Sequence, residues 1–187
     1  AAQLLESWGV DKAAAQHAQK AAPLLKVDLL TQMVGEFPEL QGTAGGFYLK
    51  EAEYQPEVAQ AVAEHYLPTS PDSPLPSSTA AAALSILDKA DIIAVCFALN
   101  KLPSSSQDPY ALKRSLAGIL RTATAKGLRV QWDALMRALL EALRDQKLAE
   151  DFDVEATLKK LKAFYAERTQ YFYEHQGVHR EIAESVL

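Results

Sequence analysis

Lys113, Arg114, Arg121, Lys126 and Arg129 fall between Pro109 and Trp132 without one acidic residue among them. Lysine and arginine at that density neutralise phosphates, the dominant source of affinity for nucleic acid. At about 100° per residue, Arg114 and Arg121 share one helix face and Lys113 lies beside it. Two readings stand. One is a basic helix that touches RNA phosphates; the other is a solvated face whose cations near the helix C-terminus complement its dipole. The net charge of −5 argues against a broadly basic binder, although a local basic face depends on where charge sits and not on its total.

The other chemistry-bearing residues are sparse. His17 lies on an Ala-rich stretch. His65 follows Glu64, and its surroundings in the sequence offer neither ligands nor acid–base partners, so a polar packing role is expected. His175 and His179 are spaced i, i+4, but Gly177 between them prevents a shared helical face from being assumed, and no HExxH occurs. Cys96 is the single cysteine, set in the apolar run Ile92–Leu99. It is expected to be a small buried hydrophobe, and a reducing compartment fits. The segment from Glu36 to Gly46 reads as a glycine-rich loop without GxGxxG or GxxxxGK spacing, hence no nucleotide cradle. Phe47 and Tyr48 after it could stack on a base or pack internally.

These residues must be positioned by helices. Alanine and leucine dominate, glycine is sparse, and no run shows the strict alternation of a half-buried strand. The spacing predicts an all-α chain. Asp11 opens a first helix. Pro23 opens a second to about Val34, with Leu25, Leu29 and Met33 as one buried stripe. Pro56 begins a helix stopped by Pro68, and four prolines between Pro68 and Pro76 predict an extended connection. A long helix from about Thr79 to Leu99 follows. Asp108 with Pro109 launches another, ended by Gly127. Beyond Trp132 come an amphipathic helix, a second capped by Asp153 and running to about His175, and a last one over His179–Leu187. Phe164 and Tyr171, with Phe172 beside them, are expected on a common core seam. No apolar run approaches the ~20 residues that span a membrane. The chain opens and closes in mid-pattern, as a piece cut from a longer protein would.

The segment Lys26-Val27-Asp28-Leu29-Leu30-Thr31-Gln32-Met33-Val34-Gly35-Glu36-Phe37-Pro38-Glu39-Leu40-Gln41-Gly42 resembles the K-x-D-L-x-T-x-M-V-x-E-F-x-E-L-Q-G signature of the β subunit of bacterial heterotetrameric (α2β2) glycyl-tRNA synthetases. Further stretches in the same order are similar to that family: Glu64-His65-Tyr66-Leu67-Pro68, the Asp72–Ser77 linker with its spacing changed by two residues, Ala83–Asp91, Asp108–Arg114 and Gly118–Arg121. Past Trp132 the likeness rests on Glu167-Arg168 and on Ile182–Leu187. The chain departs from the family at Gly45-Gly46-Phe47-Tyr48 and lacks its D-G-E after Lys50.

The resemblance implies an HD-like helical bundle over residues 1–127, followed by a helical extension over 128–187 toward the rest of the subunit. It implies as partners the α subunit, tRNA-Gly and the remaining domains of the β subunit, in the cytoplasm and away from membranes. ATP and Mg2+ would act at the α subunit, leaving no cofactor, metal or catalytic residue in this region. An HD phosphohydrolase binds its metal through a His-Asp pair, a separated His and a distal Asp. Here the pair's position reads Val27-Asp28, and the distal aspartate is Asp88, or Asp91. Two carboxylates without an imidazole make a poor catalytic site. Asp28 and Asp88 are therefore expected to be vestigial, satisfied by backbone or by lysines such as Lys26 and Lys89. Lys113, Arg114, Arg121, Lys126 and Arg129 become the candidates for tRNA contact. The competing readings are a degenerate metal-dependent phosphohydrolase and a purely structural subunit-interaction domain.

Overall fold

The computed structural model describes residues 2–104, 107–149 and 152–177. Among these there are nine α-helices, three 3-10 turns and no strand. The helices are α1 (Ala2–Ser7), α2 (Lys12–Ala21), α3 (Gln32–Glu36), α4 (Thr43–Glu51), α5 (Pro56–Glu64), α6 (Thr79–Ala98), α7 (Leu112–Lys126), α8 (Trp132–Asp145) and α9 (Val154–His175). His179 and the helix expected over His179–Leu187 lie outside the described residues.

Several helix starts follow from local chemistry. Asp11 accepts from the Ala14 N–H at 2.9 Å and Asp153 from the Ala156 N–H at 3.0 Å, each satisfying a donor that the first turn leaves open. Pro56 occupies the first turn of α5, where no N–H is needed. Gly127 follows α7 with φ +64°, the left-handed geometry of a helix-ending glycine. Asp108 works from a distance: its two carboxylate oxygens accept from the N–H groups of Leu112 and Lys113, so α7 begins after Pro109 and Tyr110 rather than at them.

The segment between α2 and α4 departs from expectation. The helix read from Leu24 to Val34 is broken into 3-10 turns at Ala22–Leu24 and Val27–Leu30, and then α3. Lys26 adopts φ +61°, which interrupts any continuous helix. The stripe drawn through Leu25, Leu29 and Met33 is not buried; Leu29 is 51% exposed and Met33 41%. The glycine-rich loop expected over 36–46 instead holds a 3-10 turn at Pro38–Leu40 and the start of α4, with Gly45 and Gly46 inside the helix. In α9, Phe164 is buried but Tyr171 is exposed, sandwiched by Arg168 and His175, so the two do not share a core seam.

The chain forms two compact units. The first comprises Ala1–Asp88 and Thr122–Arg129, the second Lys89–Arg121 and Val130 onward. In the first, α2 and α4 both pack on α5, with Trp8, Ala15, Ala18, Val58 and Val62 in the core. The returning segment is tied in where Arg129 N–H donates to the Trp8 carbonyl. In the second, α8 and α9 pair, burying Leu135, Met136, Leu140, Leu158 and Leu161; Trp132 stacks on Tyr165 and Phe97 meets Phe164. Cys96 is buried, and burial pushes its thiol pKa up.

Candidate functional site

The chemistry-bearing side chains of the first unit gather around Asp28. Its carboxylate is fully buried, accepting from the Gly42 backbone N–H at 2.7 Å and from the Tyr66 hydroxyl at 3.3 Å. Asp88, on α6, pairs with the Lys26 ammonium at 2.8 Å. The left-handed backbone at Lys26 that broke the helix thus belongs to the residue that reaches Asp88. His65 is fully buried at the end of α5, against the Tyr66 ring. Its Nδ1–H donates to the Val62 carbonyl at 2.6 Å, which leaves Nε2 as a buried lone pair without a hydrogen-bond partner among the described residues. Among the described residues, no three His, Cys, Asp or Glu side chains converge at metal-binding spacing. The arrangement gives a carboxylate clamped by backbone and phenol, and an internal ammonium–carboxylate pair.

Burial also tunes this cluster. It raises the Tyr66 phenol to about 12. It holds the His65 imidazole below its ordinary 6.5, against the opposing pull of the Val62 carbonyl and the Asp88 and Asp28 charges, and with a small push from Lys26 in the same direction.

The neighbours of His65 have work that their spacing did not reveal. Glu64 accepts from the Ser77 backbone N–H at 2.7 Å and from its hydroxyl, and so fastens the far end of the proline-rich connection beside α6. Tyr66 serves Asp28, and the Leu67 carbonyl accepts from the Ser85 hydroxyl. One short segment therefore buttresses the Asp28 pocket, the connection and α6. The only hint in the sequence was the dense run of polar and aromatic types just before a proline.

The basic candidates divide between the units. In the first, Lys126 donates to the Ser77 carbonyl at 2.7 Å, while the Arg129 side chain is exposed. In the second, Lys113 donates to the Ser104 carbonyl at 2.6 Å, Arg114 is exposed, and Arg121 is half-buried. Arg114 and Arg129 are thus exposed residues, whereas Lys113 and Lys126 are anchored to loops of their own unit.

The family profile of the glycyl-tRNA synthetase beta subunit matches residues 1–187. The chain belongs to the glycyl-tRNA synthetase beta subunit family. It is 38% identical over all of its 187 residues to the glycine–tRNA ligase beta subunit of Halalkalibacterium halodurans, covering 27% of that protein. It is 41% identical to that of Solidesulfovibrio magneticus across 91% of this chain and 24% of the relative. With that of Nitratidesulfovibrio vulgaris strain DP4 it shares 42% identity across 98% of this chain and 26% of the relative. The chain thus spans about a quarter of the length of the curated glycyl-tRNA synthetase beta subunits it matches.

The buried imidazole is expected to make the stability of this beta-subunit region depend on pH. His65 has a folded pKa below its unfolded 6.5, so below pH 6.5 the unfolded chain binds the extra proton. The stability it contributes is complete above 6.5 and is lost as the pH falls toward the folded value. Thermal melts at pH 7.5 and 5.5 are expected to show a lower Tm at the acidic pH. In His65→Gln that difference should shrink by the share of one proton. An undiminished pH difference in the variant would remove His65 as its source.

Proposed function

We propose that this region is a non-catalytic, tRNA-binding and scaffolding part of a glycine–tRNA ligase beta subunit. Its chemistry in this reading takes place elsewhere: ATP and Mg2+ act at the alpha subunit, in the cytoplasm, while this segment contributes surface and rigidity. The observation that carries the reading is the family match over the whole chain. The Asp28 cluster supports the non-catalytic part, because its carboxylates are engaged by Gly42, Tyr66 and Lys26. An HD-like bundle fits the placement of Val27-Asp28 and Asp88, with the Lys26 ammonium lying against the distal carboxylate.

For tRNA-Gly, Arg114 and Arg129 are the strongest of the five basic candidates, since both are exposed and, among the described residues, neither must abandon a partner to reach a phosphate. Lys113, Arg121 and Lys126 would steer at longer range. The test uses the complete alpha–beta assembly carrying Arg114→Glu or Arg129→Glu. Removing one guanidinium from a phosphate should weaken tRNA binding uniformly across sequences and lower the salt slope by about one, with Tm unchanged. Affinity, charging rate and salt slope all equal to the parent's would remove these residues from the interface.

A further inference from the structure

Lys160 of α9 donates to the Asn100 side-chain oxygen at 3.0 Å, Lys101 to the Tyr110 hydroxyl at 3.1 Å, and Lys113 of α7 to the Ser104 carbonyl at 2.6 Å. Three parts of the second unit thus bring ammonium groups to the connection that follows α6, and contact by contact they lie at one end of that unit. Lys101, Tyr110 and Lys160 are exposed. The acceptors are an amide, a phenol and a backbone carbonyl, so these bonds fix the ammonium groups without cancelling their charge. An ammonium has three N–H donors. Lys101 and Lys160 each spend one here, and neither has a carboxylate partner among the described residues.

The acids of the same elements are engaged elsewhere. From Ile92 to Arg121 the sequence holds one acid, Asp108, and its two oxygens accept from the Leu112 and Lys113 N–H groups. Residues 156–164, one turn to either side of Lys160, contain none. Glu155 pairs with Arg137, and Asp133 with Lys162. A lysine on a merely solvated face samples many rotamers, and ordering it on a ligand costs that freedom. Here the fold has ordered two of them in advance, which removes that cost from binding. Fixed, uncancelled cations suit the phosphates of a nucleic acid. They disfavour a second copy of the chain, since a two-fold contact would set like charges against each other. Tyr110, 44% exposed, adds a ring on which an unpaired base can stack.

We propose that Lys101, Tyr110 and Lys160 form a platform that binds the phosphate backbone of tRNA. The inference rests on the tRNA-binding reading and deepens it with residues outside the basic run from Lys113 to Arg129.

The experiment measures tRNA-Gly binding across a salt series with the complete alpha–beta assembly carrying Lys101→Gln, Lys160→Gln or both, and Lys101→Arg as the variant that keeps the charge. Each glutamine is expected to lower the salt slope by about one, and the pair by about two. At about 0.1 M salt each single change should weaken binding roughly five- to tenfold. Lys101→Arg should keep the parent slope, and the Tm of every variant should match the parent's. A parent-like slope in the double variant would overturn the proposal, as would an equal loss of slope in Lys101→Arg and Lys101→Gln. If Arg114→Glu and Arg129→Glu lower the slope in the same assay while the lysine variants do not, the platform fails alone. If none of these changes lowers it, the tRNA-binding reading fails too. A double variant whose defect is weaker association of the alpha and beta subunits without tRNA would assign the surface to a protein partner and overturn the proposal as well.

Discussion

Gly46→Val is expected to be among the most destabilising single changes in this chain, costing about 3 kcal/mol or more. A Cβ at Gly46 would stand 2.6 Å from the Ala63 Cβ and 3.0 Å from the Ala59 carbonyl oxygen. Neither obstacle is the far end of a flexible side chain, so relief requires α4 and α5 to move apart, and their contact is the main packing of that part of the first unit. Alanine at the same position gains roughly 1 kcal/mol of helix propensity and still meets the clash, so Gly46→Ala should lie between parent and valine. Removing the opposing methyl with Ala63→Gly should recover part of the loss, and a double-mutant cycle measures that coupling. Gly35 is the control: among the described residues nothing beyond its chain neighbours and its own helix backbone lies within 4 Å of a Cβ built there, so Gly35→Ala should be neutral or stabilising by up to about 1 kcal/mol. Denaturant or thermal unfolding reads all four. If Gly46→Ala matches the parent and shows no coupling to Ala63, the close approach of the two helices is not what that glycine serves.

Asp28→Ala is the second large effect, about 3 kcal/mol. It removes the buried acceptor of the Gly42 N–H and the Tyr66 hydroxyl, and an orphaned buried donor costs roughly 1–3 kcal/mol on top of the lost charge-assisted bond. Gly42 cannot move to find a substitute partner. Its φ is +83°, and a side chain there would press within 2.5 Å of the Ala63 carbonyl. Asp28→Asn keeps the volume and one carbonyl acceptor, so it should lose much less. Equal losses for alanine and asparagine would mean that the negative charge, and not the acceptor, is what the pocket needs.

Local rules of capping made much of the helical layout legible: Asp11, Pro56, Gly127 and Asp153 mark helix ends through their own backbone chemistry. The stretch from Leu24 to Gly46 misled because its determinants are remote. Leucine and methionine at helical spacing imitate a buried stripe, but they sit on short turns broken at Lys26, whose side chain reaches Asp88 on α6. Gly45 and Gly46 look like loop residues, yet they lie inside α4, and position 46 is glycine because α5 comes too close for a side chain there. The site follows the same division. Asp28, Asp88 and the basic residues could be singled out by type and order, whereas the clamp on Asp28 by Gly42 and Tyr66 depends on folding. Beyond the dense polar and aromatic run before Pro68, the sequence did not reveal the role of Glu64, because its partner Ser77 lies beyond four prolines.

That clamp on Ser77 has a bearing on how the chain tolerates change in length. Glu64 holds the Ser77 N–H and hydroxyl, and Lys126 holds its carbonyl, so the end of the proline-rich connection is anchored on three atoms. With both ends fixed, the span between them adds only loop-closure entropy, about 0.6 kcal/mol for each doubling. Insertions and deletions there leave the Asp28 pocket and the start of α6 in register.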